Sequence, residues 1–148
     1  MGSTAISGLL VLGGAFIIFG IAWWILQVIA NWRIFTKAGE AGWKSIIPIY
    51  GDYISYKIAW RPSFFWINFI LGVAVSGMNN YTDTPSSLYT AILVVLYILL
   101  IIIDFIYSLK LAKAFGKGTG FAIGLFFLKP IFLLILGFGS AEYVGADQ

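Results

Sequence analysis

Two charged side chains, Asp104 and Lys129, lie inside long apolar runs and are the strongest candidates for chemistry in this sequence. A charge is costly in the hydrocarbon of a membrane, so such residues usually pair with one another or serve a function. Pro130 follows Lys129 and favours a kink, because proline lacks the N–H that a continuous helix uses. Asp104 and Lys129 are therefore a candidate intramembrane charge pair. The interpretations are proton or ion translocation, a structural ion pair, and an Asp104 that is hydrated near the cytoplasmic rim.

A second candidate site is the segment KAFGKGTG at 113–120, which is rich in glycine and lysine. Its order of residues does not match the Walker pattern of nucleotide-binding loops. The segment does precede the predicted fourth span, and free N–H groups at the start of a helix attract phosphate groups. The candidate contacts to lipid headgroups are Lys110, Lys113, Lys117, Gly118 and Gly120. A solvated turn without a ligand is the competing interpretation.

Several classes of chemistry are disfavoured by residue types that the chain lacks. It has no cysteine and no histidine, which removes disulfides, thiolate nucleophiles and the commonest general base and metal ligand. The six Asp and Glu residues are scattered and do not follow the spacing of a calcium loop. No serine is recognisably paired with a lysine as nucleophile and base. We therefore expect no metal, no cofactor and no enzymatic activity.

The composition indicates an integral membrane protein. Of the 148 residues, 61% are hydrophobic and only 10% are charged, which is too little polar surface for a soluble globule. The apolar runs predict an all-α fold, 1–148, with four transmembrane helices in two hairpins. The predicted spans are at about 9–30, 62–78, 88–109 and 121–138. The first run lacks the basic start of a signal peptide, so we expect it to be retained.

The positive charges determine the predicted orientation. Eight of the nine Lys and Arg residues lie in two windows, 33–61 and 110–117, between the apolar runs. Because loops rich in Lys and Arg stay on the cytoplasmic side, both windows should face the cytoplasm. The connector 79–87 and the tail 140–148 carry only acidic charges, so both termini should lie outside. The expected counter-ions of the basic loops are anionic lipid headgroups and not nucleic acid.

The first basic window contains a segment, 43–60, that is too polar to cross a membrane and apolar enough to lie on one. We predict an interfacial amphipathic helix at about 46–60 on the cytoplasmic side, with a substrate-binding groove as its alternative role. Its predicted apolar face comprises Trp43, Ile46, Ile47, Tyr50, Tyr53 and Ile54, opposite Lys44, Asp52, Ser55 and Ala59. The predicted aromatic anchors are Trp43, Tyr50, Tyr53 and Trp60.

Two segments, FTKAGEAGWKSIIPIY at 35–50 and LAKAFGKGTGFAIGLFFLKPIFLLILGFGSAEY at 111–143, resemble an uncharacterised family of small bacterial integral membrane proteins. WRPSFFW at 60–66 is similar to that family's start of the following span. Members are sometimes labelled signal peptidase I automatically. A leader peptidase holds its Ser and Lys on a folded outer domain, whereas the longest outer segment predicted here is only about ten residues. The resemblance implies a helical fold in the bacterial inner membrane, but no reaction.

These features favour a non-enzymatic role. The first expectation is an accessory or structural subunit of a larger inner-membrane complex, with respiratory and photosynthetic complexes as candidates. Six Trp, eight Tyr and thirteen Phe residues offer a large area for packing against helices and lipids. The alternative is a small transporter or channel that uses Asp104 and Lys129. A second alternative is a protein that binds anionic lipids. The expected partners are membrane lipids and other membrane-protein subunits.

Overall fold

The computed structural model describes residues 2–80 and 86–146, and all regular structure within these ranges is helical. The helices are α1 (Ser3–Lys37), α2 (Tyr50–Ala59), α3 (Pro62–Asn79), α4 (Ser87–Ala114), α5 (Thr119–Phe127) and α6 (Lys129–Phe138), with a 3-10 helix at Gly42–Ile46. The predicted all-α fold is therefore confirmed for the described part of the chain. Residues 81–85, most of the connector predicted to lie outside the membrane, are not among the described residues.

Two helices, α1 and α4, are long and apolar enough to cross a membrane. Their 35 and 28 residues correspond to about 52 and 42 Å at a rise of about 1.5 Å per residue, more than the hydrocarbon thickness of a bilayer. α4 begins at a capping residue, because the side chain of Ser86 accepts a hydrogen bond from the Tyr89 N–H at 3.2 Å. α3 begins at Pro62, whose missing N–H suits the first helical position.

Each long helix is followed by a glycine two residues after its last residue. Gly39 and Gly116 have positive φ angles of 81° and 68°, which glycine adopts without strain. The residue after each glycine donates its N–H to the helix carbonyl five positions earlier, as Lys117 does to Ala112 at 2.8 Å. The chain therefore turns sharply at the end of each long helix, and both turns lie in the basic segments.

The hydrophobic core lies at one end of the molecule, where the C-terminal ends of α1 and α4 meet the shorter helices. Its buried residues are Ile34, Phe35, Ile54, Ile58, Ala59, Leu111, Ala112, Ala114, Phe115, Ala122, Leu125 and Leu136. At the opposite end, the apolar side chains of α1 and α4 are uncovered, with Leu10 72% and Leu88 69% exposed. The molecule therefore has a packed end, which carries both basic segments, and an uncovered apolar end.

The predicted fourth span, 121–138, is not one helix. Leu128 has non-helical backbone angles, φ −125° and ψ 47°, and separates α5 from α6. The two helices fold back on each other, since the ring centroids of Phe121 and Phe132 are 4.9 Å apart. A continuous helix would separate these two residues by about 16 Å along its axis. The prediction of a continuous spanning helix is therefore wrong in this segment, where α5 and α6 form a broken hairpin.

The break has its causes in the sequence. Pro130 has no N–H to donate to the Phe126 carbonyl, as a continuous helix would require. Gly124 allows the two helices to approach, because a Cβ at this position would lie 2.1 Å from the ring of Phe132. Neither α5, with nine residues, nor α6, with ten, is long enough to cross a bilayer alone.

The broken hairpin also changes the position of the C-terminal tail. The Val144 N–H donates to the Ala114 carbonyl at 2.7 Å, and the Tyr143 hydroxyl donates to the Ile58 carbonyl at 2.8 Å. The tail therefore lies against the packed end, beside both basic segments. The sequence predicts the tail and the basic loops on opposite sides of a membrane, whereas these hydrogen bonds place the tail directly beside the basic segments.

α6 packs along the last turns of α1 and so attaches the broken hairpin to the first long helix. Gly137 approaches α1 so closely that a Cβ there would lie 2.7 Å from the backbone of Ala30. Lys37 Nζ donates to the carbonyls of Leu136 and Gly139 at 2.6 and 2.9 Å. A cation at the carboxyl end of a helix is favourable, so Lys37 stabilises the end of α6.

The short helix predicted at about 46–60 is observed as α2, preceded by the 3-10 helix. α2 packs against α3, α4 and the 3-10 helix, and its buried face includes Gly51, Ile54 and Ile58. The predicted apolar face is divided. Ile54 is buried in the protein, whereas Trp43 and Ile46 are each 51% exposed. The helix therefore belongs to the core on one side and presents apolar side chains outward on the other.

Glu40 connects three elements of the packed end. Its carboxylate accepts hydrogen bonds from Lys44 Nζ and Lys57 Nζ, both at 2.7 Å. These hydrogen bonds hold the pKa of Glu40 below its ordinary value. Because the three residues lie after α1, in the 3-10 helix and in α2, they form a polar brace across the packed end.

We expect Glu40→Gln to lower the free energy of unfolding by about 1 kcal/mol at neutral pH, because it removes two charge-assisted hydrogen bonds. A carboxylate with a lowered pKa stabilises the fold above its unfolded pKa and loses this contribution as the pH falls through the lowered value. The difference between wild type and variant should therefore shrink below about pH 4. Thermal unfolding in mild detergent, followed as a function of pH, measures this difference in stability. Glu142→Gln, at an exposed tail position, is the control, and equal losses in both variants would contradict the brace.

The broken hairpin predicts a cross-link that a continuous helix forbids. The chain has no cysteine, so Phe121→Cys with Phe132→Cys introduces a single reactive pair. We expect a thiol reagent that spans only a few ångströms to join the two within one chain, as measured by intact mass. The control pair, Val94→Cys with Phe105→Cys, has the same sequence separation within α4 and should stay unlinked. A hairpin pair that also stays unlinked would disprove the fold-back.

Candidate functional site

The structure brings together the two charges of the apolar runs. Asp104 lies within α4, and Lys129 is the first residue of α6, directly after the break at Leu128. The Lys129 ammonium donates to Asp104 Oδ1 and forms an ion pair with it. The two side chains are 35% and 39% exposed, so the pair is accessible and not sealed in the core. The break in the hairpin places Lys129 at its tip and thereby within reach of α4.

The ion pair borders a cavity of about 470 Å³, here termed the polar cavity. Its polar and charged lining consists of Asn31, Asp52, Ser55, Tyr56, Asn68, Asp104, Tyr107 and Lys129. Its apolar lining consists of Phe65, Phe69 and Leu133. These residues come from α1, α2, α3, α4 and α6. Convergent polar groups in a cavity between apolar helices are the usual sign of a binding site.

Side chains of α2 and α4 form one wall of the polar cavity. The rings of Tyr56 and Tyr107 pack with their centroids 4.7 Å apart. The Ser55 hydroxyl donates to the Gly51 carbonyl at 2.9 Å. This wall therefore offers two packed aromatic rings beside a hydroxyl that a hydrogen bond orients.

The polar cavity has more negative than positive groups. Two carboxylates, Asp52 and Asp104, and one ammonium, Lys129, line it. Burial raises the pKa of Tyr56 to about 12, and the negative charges of Asp104 and Asp52 contribute to the rise. The Tyr56 phenol therefore keeps its proton at physiological pH and remains a hydrogen-bond donor. Within the residues that the structure describes, no three carboxylates are grouped in a way that could hold a metal ion.

The sequence singles out Asp104 and Lys129 but not the other polar residues of the cavity. A signal was present in α2, since Asp52, Ser55 and Tyr56 have i, i+3 and i+4 spacing and so share one helix face. Asp104 and Tyr107 have the same i, i+3 spacing in α4. The meeting of these two faces depends on how the helices pack, which the spacing does not contain.

The segment rich in glycine and lysine lies at the packed end, and its residues are not among those that line the polar cavity. Lys110 Nζ is 6.0 Å from the centroid of the Trp60 ring, and Lys117 Nζ is 5.8 Å from that of Phe121. The remaining three residues of this candidate site are exposed beside the turn into α5: Lys113, Gly118 and Gly120. The structure thus keeps the five residues together, with two of their cations over aromatic rings.

The four predicted aromatic anchors have two different surroundings. Trp43 and Tyr50 are 51% and 40% exposed. Tyr53 packs edge-on against Phe65 of α3, with the ring centroids 5.7 Å apart. Trp60 stacks on Phe64 of α3, with the ring centroids 3.5 Å apart. Two of the anchors therefore attach α2 to α3, and the other two face outward.

Comparison with known proteins identifies the family but not a function. A family model described as a family of unknown function, DUF5684, matches residues 43–146. Neither a curated protein nor a solved structure matches the chain. The matched region begins at the 3-10 helix and includes every residue that lines the polar cavity except Asn31. The prediction of an uncharacterised family is thus confirmed, and the chain belongs to DUF5684, a family of unknown function.

Proposed function

We propose that this is a multi-pass protein of the bacterial plasma membrane that binds a small polar solute in the polar cavity and transports it. The observation that carries the proposal is the Asp104–Lys129 ion pair, formed at the wall of the cavity where a helix is interrupted. Charged residues within membrane spans mark substrate or ion pathways. Interrupted helices are tolerated at membrane depth where they border protein or a wet cavity, and transporters use them at substrate sites.

The proposed membrane arrangement has three spans, α1, α3 and α4, with the broken hairpin as a re-entrant element. The 18 residues of α3 reach about 27 Å, near the lower limit for a span. The packed end faces the cytoplasm, because it carries both basic segments. The broken hairpin enters from this side and returns to it, so the tail is cytoplasmic and the start of α1 is outside.

In this arrangement α2 and the 3-10 helix lie at the cytoplasmic interface. Trp43 and Tyr50 face outward and meet the headgroup region, where amphipathic aromatic side chains are favoured. Asp104 lies six residues before Lys110, about 9 Å along α4 from the basic segment. The polar cavity is therefore within the membrane but close to its cytoplasmic face, a depth that a solute reaches without crossing the whole bilayer.

The side chains of the polar cavity support binding rather than a reaction. The Ser55 hydroxyl donates to the Gly51 carbonyl, which is not a general base. The Lys129 ammonium is engaged by the Asp104 carboxylate. We therefore propose a non-enzymatic role for the protein.

A second candidate function, a subunit of a larger membrane complex, is favoured by the uncovered half of α1. No residue in the most apolar 18-residue window of this helix is buried. Leu10 and Phe16 are 72% and 74% exposed. In a membrane, such a surface is covered by lipid chains or by a helix of another subunit. A partner that co-purifies in mild detergent at fixed stoichiometry, with wild type and Asp104→Asn alike, would support this function.

Transport should depend on the Asp104 carboxylate. Proteoliposomes that contain a trapped pH-sensitive dye are exposed in turn to ammonium, amines, carboxylates and amino acids. We expect wild type to change the internal pH with at least one of these solutes, and Asp104→Asn to do so roughly tenfold more slowly or not at all. Glu142→Gln makes the same change of charge in the tail and should retain the wild-type rate. Equal rates for Asp104→Asn and wild type would refute the proposed role of the carboxylate.

The proposed orientation is tested by single cysteines at exposed positions, Ser3→Cys, Lys113→Cys and Glu142→Cys. In intact cells, a membrane-impermeant maleimide should label only Ser3→Cys, because the packed end and the tail face the cytoplasm. All three should be labelled after permeabilisation. Labelling of Lys113→Cys in intact cells would reverse the orientation. Labelling of Glu142→Cys but not Lys113→Cys would instead contradict the return of the broken hairpin.

A further inference from the structure

We propose that the polar cavity takes a small organic cation, whose ammonium group exchanges with the ammonium of Lys129 at the Asp104 carboxylate. This inference rests on the proposed solute-binding role of the cavity and names the chemical class of the solute.

The charges of the polar cavity favour a cation over an anion. Asp52 and Asp104 line it from α2 and α4, while Lys129 is the one ammonium among the lining residues. That ammonium is already paired with Asp104. An anionic solute would therefore meet the carboxylate of Asp52, and the Lys129 cation would not be available to bind it. A cationic solute enters along the field of the two carboxylates.

The rings of the polar cavity are suited to the same class of solute. Four aromatic side chains line it, and the Tyr56 ring is 4.7 Å from Tyr107 and 6.1 Å from Phe65, measured between centroids. The face of an aromatic ring is electronegative and attracts ammonium groups. A carboxylate beside several ring faces is therefore a suitable site for an organic cation, with the rings contacting its apolar part.

The protein itself already places an ammonium group in this site. Lys129 Nζ lies 5.4 Å from the centroid of the Tyr107 ring while it donates to Asp104. Its position, between a carboxylate and a ring, is the position that we assign to the ammonium of a solute. Lys129 is thus a competitor for Asp104 that is attached to the protein.

The position of Lys129 in the chain allows it to withdraw. It lies at the tip of the broken hairpin, next to the non-helical residue Leu128. When a solute takes over Asp104, the carboxylate keeps a cation, and no unpaired charge is left on α4. Exchange of one ammonium for another therefore couples solute binding to movement of the hairpin tip.

Three probes of one shape separate the effect of charge from that of the ring: benzylammonium, benzoate and benzyl alcohol. Binding to the purified full-length protein in mild detergent is measured by titration calorimetry. We expect benzylammonium to bind at least roughly tenfold more tightly than either of the other two, because only it satisfies both the carboxylate and the rings.

Variants of the ion pair test the exchange. Lys129→Gln should tighten benzylammonium binding roughly tenfold or more. In wild type, Lys129 occupies Asp104 in most molecules, so the apparent affinity is reduced in proportion to the fraction of molecules in which Asp104 is open. Lys129→Arg retains a cation that can form two hydrogen bonds with the Asp104 carboxylate, so it should weaken benzylammonium binding. This variant still tests the exchange if Lys129→Gln does not fold. Asp104→Asn should abolish binding, and Glu142→Gln should leave it unchanged.

The outcomes distinguish this inference from the proposed function. Preferential binding of benzoate or benzyl alcohol would overturn the cation class and leave a solute-binding cavity in place. Benzylammonium binding that Lys129→Gln weakens would overturn the exchange at Asp104. If none of the three probes binds, the cation class is wrong, and the flux of other solutes in proteoliposomes then decides whether the proposed function also fails.

Discussion

A proline cannot donate a backbone hydrogen bond, and at position 130 this constraint divides what would otherwise be a single apolar helix. The chain folds back after α5, so α6 packs on α1 and the tail returns to the ends of α2 and α4. The same break puts Lys129 at a turned tip, where it pairs with Asp104. The packing of the broken hairpin, the position of the tail and the ion pair of the candidate site therefore all follow from one interruption.

The two ends of the molecule are built for different surroundings. At the packed end, helices are held by close contacts such as Gly137 on Ala30, by the cap that Lys37 supplies to α6, and by the polar brace around Glu40. At the apolar end, no residue of α1 is buried over its most apolar window. Each large apolar side chain left in water would cost about 1.5–3 kcal/mol, so this half of α1 requires lipid or another helix around it.

The polar cavity occurs where these two regions meet, and its polar groups are organised. The Ser55 hydroxyl donates to the Gly51 carbonyl, and Lys129 has both a carboxylate and a ring beside it. Among the described residues, no buried side-chain nitrogen or oxygen lacks a hydrogen-bond partner. Buried polar groups that are paired in this way cost little to keep in apolar surroundings.

The sequence by itself determined the features that depend on neighbouring residues. Uncharged runs predicted the long helices, Pro62 marked the start of α3, and the short helix predicted at about 46–60 is α2 over Tyr50–Ala59. Only the tertiary structure decided that α5 returns on α6, that the tail lies against Ala114, and that Asp52 of α2 and Asp104 of α4 line one cavity. The physical reason is separation along the chain. The effects of hydropathy, proline and glycine extend over a few helical turns, whereas these contacts join residues whose approach depends on the packing of whole helices.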